Sequence, residues 1–189
     1  MFLLYEYNTM QRQVIQHSVF LLGLALLVSA CFNEPNYSDT PEISFKQVSK
    51  FTLAAGGGVG QARRDSVIVT IGFQDGAGDL GEDVRDTARI NRTFRNETWG
   101  NYEITTFQLV NGRYEVLPLA VNNKLFFPRL TREGQRGAIE GTLDFSQIFA
   151  YQRDFRMVPV KFRIRIRDRG MRVSNYAETD TIQVPLSGR

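Results

Sequence analysis

The sequence predicts an all-β domain, an antiparallel sandwich of seven to eight strands, and three observations predict it. From Ile43 onward, apolar and polar residues alternate with the period of two that places successive side chains on opposite faces of a strand. Asn111-Gly112 sits between two such runs, and a type I′ hairpin needs a residue pair that accepts positive φ at both positions. The strand-like runs fill about 145 residues, which suits two sheets each buried on one face. A closed barrel is the alternative arrangement.

The strands fall in order along residues 42–187. The first candidate covers 43–53 and is followed by a loop at Gly56-Gly57-Gly58. In the second, Val67, Val69, Ile71 and Phe73 alternate with Ser66, Ile68, Thr70 and Gly72, so one face is strongly apolar. Residues 102–110 and 113–119 flank the Asn-Gly turn. Residues 125–130 and 138–145 supply two more runs, and 146–151 suit one short helical turn. Val160, Phe162, Ile164 and Ile166 alternate with Lys161, Arg163, Arg165 and Arg167; the turn Asp168-Arg169-Gly170 then leads to a last strand at 179–185.

The first 30 residues have a different character. Val19-Phe-Leu-Leu-Gly-Leu-Ala-Leu-Leu-Val28 is an apolar run of the length of a secretion-signal core, too short at ~1.5 Å per residue to span a ~30 Å bilayer. Met1–Thr9 carries Glu6 and no basic residue, whereas Met10 is followed by Arg12, so Met10 is the expected start of the signal. Val28, Ser29 and Ala30 precede Cys31 in a pattern that resembles the lipobox of bacterial lipoproteins. That resemblance implies cleavage before Cys31, diacylglycerol on its thiol and acylation of the new amine, which together anchor stably where one chain is marginal. Phe32, where well-studied Gram-negative sorting uses aspartate for inner-membrane retention, implies the outer membrane. Residues 31–41 are then the lipidated cysteine and a polar, Pro-containing flexible tether.

Without the signal about 159 residues remain, enough for one domain with its own core. The only histidine, His17, lies in the signal, and Cys31 is the only cysteine. The mature chain therefore has no disulfide and no Ser-His, Cys-His or His-metal chemistry. Export argues against a nucleic-acid partner, and the excess of basic residues suits anionic partners of the envelope.

Several segments together resemble a family of lipoproteins of Gram-negative bacteria with one immunoglobulin-like β-sandwich behind the lipobox. They are Asp65-Ser-Val-Ile-Val-Thr-Ile-Gly-Phe-Gln-Asp-Gly-Ala-Gly-Asp-Leu-Gly81, Ile139-Glu140-Gly141, Phe162-Arg-Ile-Arg-Ile-Arg-Asp-Arg169 and Val173-Ser174-Asn175. The resemblance covers most of the mature chain and implies fold and location only, since the family carries no established activity.

Four features have chemical interest. Asp75, Asp79, Glu82 and Asp83 line a Gly-rich turn, where converging acids suit Ca²⁺, an ion that takes six to eight oxygens. The alternative is a tight turn with solvated acids, and Ala77 and Leu80 both depart from calcium-loop patterns. Lys161, Arg163, Arg165 and Arg167 put four cations on one strand face, either for an anionic partner or paired with neighbours such as Glu103 or Asp180. Asp65-Ser66-Val67, Asp86-Thr87-Ala88 and Asp180-Thr181-Ile182 resemble bacterial O-glycosylation tripeptides, and Trp99 is expected in the core or at its rim. A carboxylate-pair hydrolase requires two acids facing across a pocket, and nothing in the sequence places such a pair. The expectation is thus a non-enzymatic lipoprotein that binds an envelope protein or glycan, with a calcium-stabilised module as the alternative.

Overall fold

Period-two patterning produces what it should, two antiparallel sheets packed face to face. The computed structural model describes residues 35–58, 62–118, 124–135 and 137–187. The signal, with Val28, Ser29, Ala30 and Cys31, lies outside the described residues. The strands are β1 (Glu42–Leu53), β2 (Arg64–Asp75), β3 (Tyr102–Val110), β4 (Arg113–Val116), β5 (Ile139–Ala150), β6 (Phe155–Ile166), β7 (Ala177–Glu178) and β8 (Ile182–Ser187). One sheet has the order β1-β2-β5; the other runs β4-β3-β6, with β7 and β8 both paired to β6. The core lies between the sheets. Val67, Val69, Ile71 and Phe73 of β2 meet Val160, Phe162, Ile164 and Ile166 of β6 there, together with Phe145 and Phe149. A one-residue slip of either strand would turn this set to solvent, which fixes the register.

Asn111 and Gly112 adopt φ of 48° and 78°, the conformation expected of the β3–β4 hairpin. Three local expectations are corrected. Residues 146–151 are not a helical turn but mostly the last third of β5, because Gln147 and Phe149 continue the inward alternation begun by Phe145. Residues 125–130 form no strand; Leu125 and Pro128 make single bridges to Tyr102 and Glu82. There the side chain of Asn101 stands in for a strand partner, donating to the Phe127 carbonyl and accepting from its N–H, both at 2.9 Å. A helix, α1 (Thr87–Thr93), is present where no helical period shows. It buries none of its residues, so it carries no apolar stripe; the Asp86 carboxylate caps it by accepting from Arg89 N at 2.9 Å.

Candidate functional site

The strands run between two ends of the sandwich. The first end gathers the start of β1, the end of β2, the start of β3, residues 76–101 and 124–138, and the turn after β6. Here the Gly-rich turn folds back on Asp75, whose carboxylate accepts from Asp79 N at 2.9 Å and Ala77 N at 3.3 Å. Leu80 is bridged to Asp168, which brings Asp168 beside the turn from the far end of β6. Asp75, Asp79 and Asp168 thus offer carboxylate oxygens within 4.8 Å of one another. Burial pushes the Asp75 and Asp168 carboxyls up from their ordinary values, against backbone N–H groups that hold them down.

Arg172 supplies the counter-charge. Its Nε donates to Asp168 at 2.6 Å, and its guanidinium lies 3.4 Å from Asp79 and 3.6 Å from Asp39. The expected quartet is therefore not assembled. Asp75 and Asp79 meet, but Glu82 and Asp83 are carried away as the chain leaves the turn extended, with Glu82 bridged to Pro128. Glu82 is buried with its carboxylate 3.6 Å from Arg89 and neither oxygen hydrogen-bonded among the described residues. Asp83 accepts from Arg85 N at 3.1 Å, an ordinary turn contact. Asp168 was missed because its approach depends on a long-range bridge that no local pattern encodes.

The chain before β1 is held against this same end. Tyr37 donates to Glu140 at 2.6 Å, and the Ser38 carbonyl accepts from Gly76 N at 2.8 Å. A Cβ on Gly76 would stand 2.3 Å from the Tyr37 carbonyl, so this close approach requires glycine. Of the stretch expected to be a tether, residues 37–41 are docked.

The cation row is laced into the second sheet. Lys161 and Arg163 share Glu178, at 2.8 and 2.7 Å, and Arg165 donates to Glu103 at 2.6 Å. Hydrogen bonds from Lys161 and Arg163 hold the Glu178 carboxyl below its ordinary value. Rings separate the cations: Phe107 and Tyr114 beside Lys161, Tyr176 between Arg163 and Arg165, and Trp99 beyond Arg165. Arg167 departs from the expected outward row. It is 3% exposed, stacked 3.9 Å from the Trp99 ring, donating to the Gly100 and Trp99 carbonyls and paired with Glu97 at 2.6 Å. The segment from Phe94 to Gly100 covers it, and Trp99 is buried as expected. Glu103 is an expected partner; Glu178 takes the place expected for Asp180.

The other end, around residues 54–58 and 62–63, the β3–β4 turn and the β5–β6 turn, has a different surface. Phe51, Leu53, Val116, Ile148, Phe155 and Met157 are each exposed here. So are Arg63, Arg113, Arg153 and Arg156, and the last three make no ion pair among the described residues. A cleft of about 720 Å³ opens between the β3–β4 hairpin and β6–β8, lined by Leu109, Val110, Glu115, Arg156, Met157 and Leu186 among others. Sequence reading missed this cleft, because no local pattern shows that β3 parts from β6 at Val160 while β8 stays paired.

On the outer face of the first sheet, a depression of about 490 Å³ floored by Gly72 and Gly141 has Glu42 and Glu140 at its rim. Both pair with Gln74 from opposite sides, which sets them two strand spacings, about 10 Å, apart. The Tyr37 hydroxyl holds the Glu140 carboxyl below its ordinary value, the opposite of what a general acid needs. Comparison with family models, curated proteins and solved structures finds no match to this chain.

Proposed function

We propose that the chain is an outer-membrane lipoprotein, anchored through lipid on Cys31, whose immunoglobulin-like sandwich binds a protein or glycan partner without catalysing a reaction. The strand order supports the immunoglobulin-like assignment: β1-β2-β5 against β4-β3-β6, with β7 and β8 together beside β6, follows the arrangement A-B-E against C′-C-F-G. The lack of histidine in the mature chain and the low carboxyl of Glu140 support a non-enzymatic role.

The observation that carries this reading is the docking of residues 37–41. Six residues from Cys31 to Tyr37 reach at most about 20 Å, so a lipid on Cys31 keeps the Asp75 end of the sandwich next to the membrane. The opposite end, with its exposed apolar residues and arginines, then faces outward, about 40 Å further along strands of twelve residues. Detergent phase partitioning tests the anchor. The wild-type chain from a lipidating host is expected in the detergent phase and Cys31→Ser in the aqueous phase. Wild-type protein in the aqueous phase, or an unchanged partition for Cys31→Ser, overturns the proposal.

A second reading, a calcium-stabilised module, draws on the meeting of Asp75, Asp79 and Asp168. Arg172 stands against it by already supplying positive charge to two of the three. Melting curves with Ca²⁺ and with chelator separate the two: a raised midpoint with Ca²⁺ supports the ion, and coincident curves leave the guanidinium as the cluster's counter-charge.

A further inference from the structure

We propose that the cleft at the outward end takes an extended acidic segment of a partner protein, added as a strand beside β6. The proposal deepens the partner-binding reading and rests on it for the partner's existence. Its basis is the way the second sheet splits. Val160 is paired on one side with Gln108 of β3 and on the other with Ile182 of β8. The β3–β6 ladder ends there, while the β6–β8 ladder continues to Phe155. Residues 155–159 of β6 therefore have a partner on one edge only, and the other edge faces the cleft. Across the cleft, Leu109 and Val110 of β3 are paired only with β4. Two strand edges thus diverge around one space, and unpaired edges of this kind are templates for another strand.

The chemistry of the lining selects the occupant. Leu109, Val110, Met157 and Leu186 accept apolar side chains, which on a strand arrive at every second position. Arg156 lies in the cleft wall, with Arg113 and Arg153 exposed nearby, against the exposed acids Glu115 and Asp154; Asp65 at this end is buried and paired with Lys50. The local excess is positive. It repels a second copy of this cationic chain, whose own edge would bring Arg156 against Arg156, and it attracts aspartate or glutamate. Backbone N–H groups alternate between the two edges of β6, Pro159 has none, and the Phe155 N–H already donates to the Gln152 carbonyl at 3.3 Å, so the free donor this edge offers an added strand is the Met157 N–H. The volume, about 720 Å³, is within the range of small-ligand clefts.

The test uses the full chain in detergent and a fluorescent peptide of about eight residues alternating aspartate with valine, a length typical of a strand. A peptide with lysine in place of aspartate is the control. The acidic peptide is expected to bind, to slow hydrogen exchange at the Met157 amide, and to bind at least tenfold more weakly to Arg156→Glu. Arg156 is exposed and makes no ion pair among the described residues, so the variant is expected to fold. Failure of the acidic peptide to bind, equal binding of the lysine peptide, or binding without protection of the Met157 amide overturns the proposal. Preference for an anionic glycan that leaves the Met157 amide unprotected overturns it as well. Cys31→Ser should bind the peptide as the wild type does, so a failure of the lipid-anchor reading would leave this result standing, and the converse holds.

Discussion

The two ends of the sandwich handle polarity in opposite ways. At the Asp75 end, polar groups are inside: Asp75, Glu82, Asn101, Thr131, Arg167, Asp168 and Ser174 are all buried. Most are tied by hydrogen bonds to loop backbone, so the long connections are held by side chains acting as strand partners and turn closers. At the outward end, apolar groups are outside, and Asp65 is the buried carboxylate, held by Thr52 at 2.8 Å, Tyr151 at 3.1 Å and Lys50 at 3.3 Å. Buried polar networks specify one loop geometry, and removing one member leaves the others unsatisfied. Exposed apolar side chains contribute little to the fold of the monomer and much to a surface that a partner covers. The difference separates an end whose loops are held by buried polar contacts from an end with exposed apolar side chains.

Substitutions sharpen that contrast, and the largest effect is expected at Arg167. Arg167→Ala leaves Glu97 and the Gly100 and Trp99 carbonyls without their donor inside the structure. Urea unfolding should show a loss of about 2–4 kcal/mol, because two buried carbonyls lose their donor while Glu97, 37% exposed, is rehydrated. Asn101→Ala removes both hydrogen bonds to Phe127 and should cost about 2–3 kcal/mol by the same measurement.

Asp75→Asn tests the acid cluster through pH. The Asp75 carboxyl titrates above its unfolded value of 3.8 because burial disfavours the charge. Its contribution is therefore fully present below the unfolded value and is lost as pH rises through the folded one. Relative to Asp75→Asn, the wild type should gain stability as pH falls from 7 toward 4 in paired urea titrations. A constant or opposite difference would contradict the assignment of burial as the dominant cause.

The smallest effects belong to the outward surface. Phe51→Ser and Val116→Thr should change stability by no more than about 0.5 kcal/mol, since these side chains are 56% and 57% exposed. A loss of 2 kcal/mol or more at either position would show that this end is core after all, and would remove the contrast on which the account depends.

Much of the fold was legible because its signals are local. Val67 to Phe73 and Val160 to Ile166 announce their strands by alternation, and Asn111-Gly112 announces its turn. What escaped is set by contacts distant in sequence. Helix α1 buries nothing, so its existence rests on a cap rather than a stripe. Arg167 continues the pattern of Lys161, Arg163 and Arg165 perfectly, yet residues 94–100 fold over it and turn an outward cation into a buried one. Asp168 joins Asp75 and Asp79 only because Leu80 bridges the end of β6. The cleft exists only because β3 leaves β6 at Val160 while β8 does not.

On the proposed reading, lipid on Cys31 holds the Asp75 end at the membrane and leaves the opposite end for a partner. Energy transfer from a single fluorophore to an acceptor confined to the lipid tests it on the full chain in liposomes. With Cys31 lipidated, Arg132→Cys and Arg113→Cys each provide one free thiol, on exposed positions at the two ends. Strong transfer from position 132 and weak transfer from position 113 is the predicted result; equal transfer from both, or stronger transfer from 113, would contradict it.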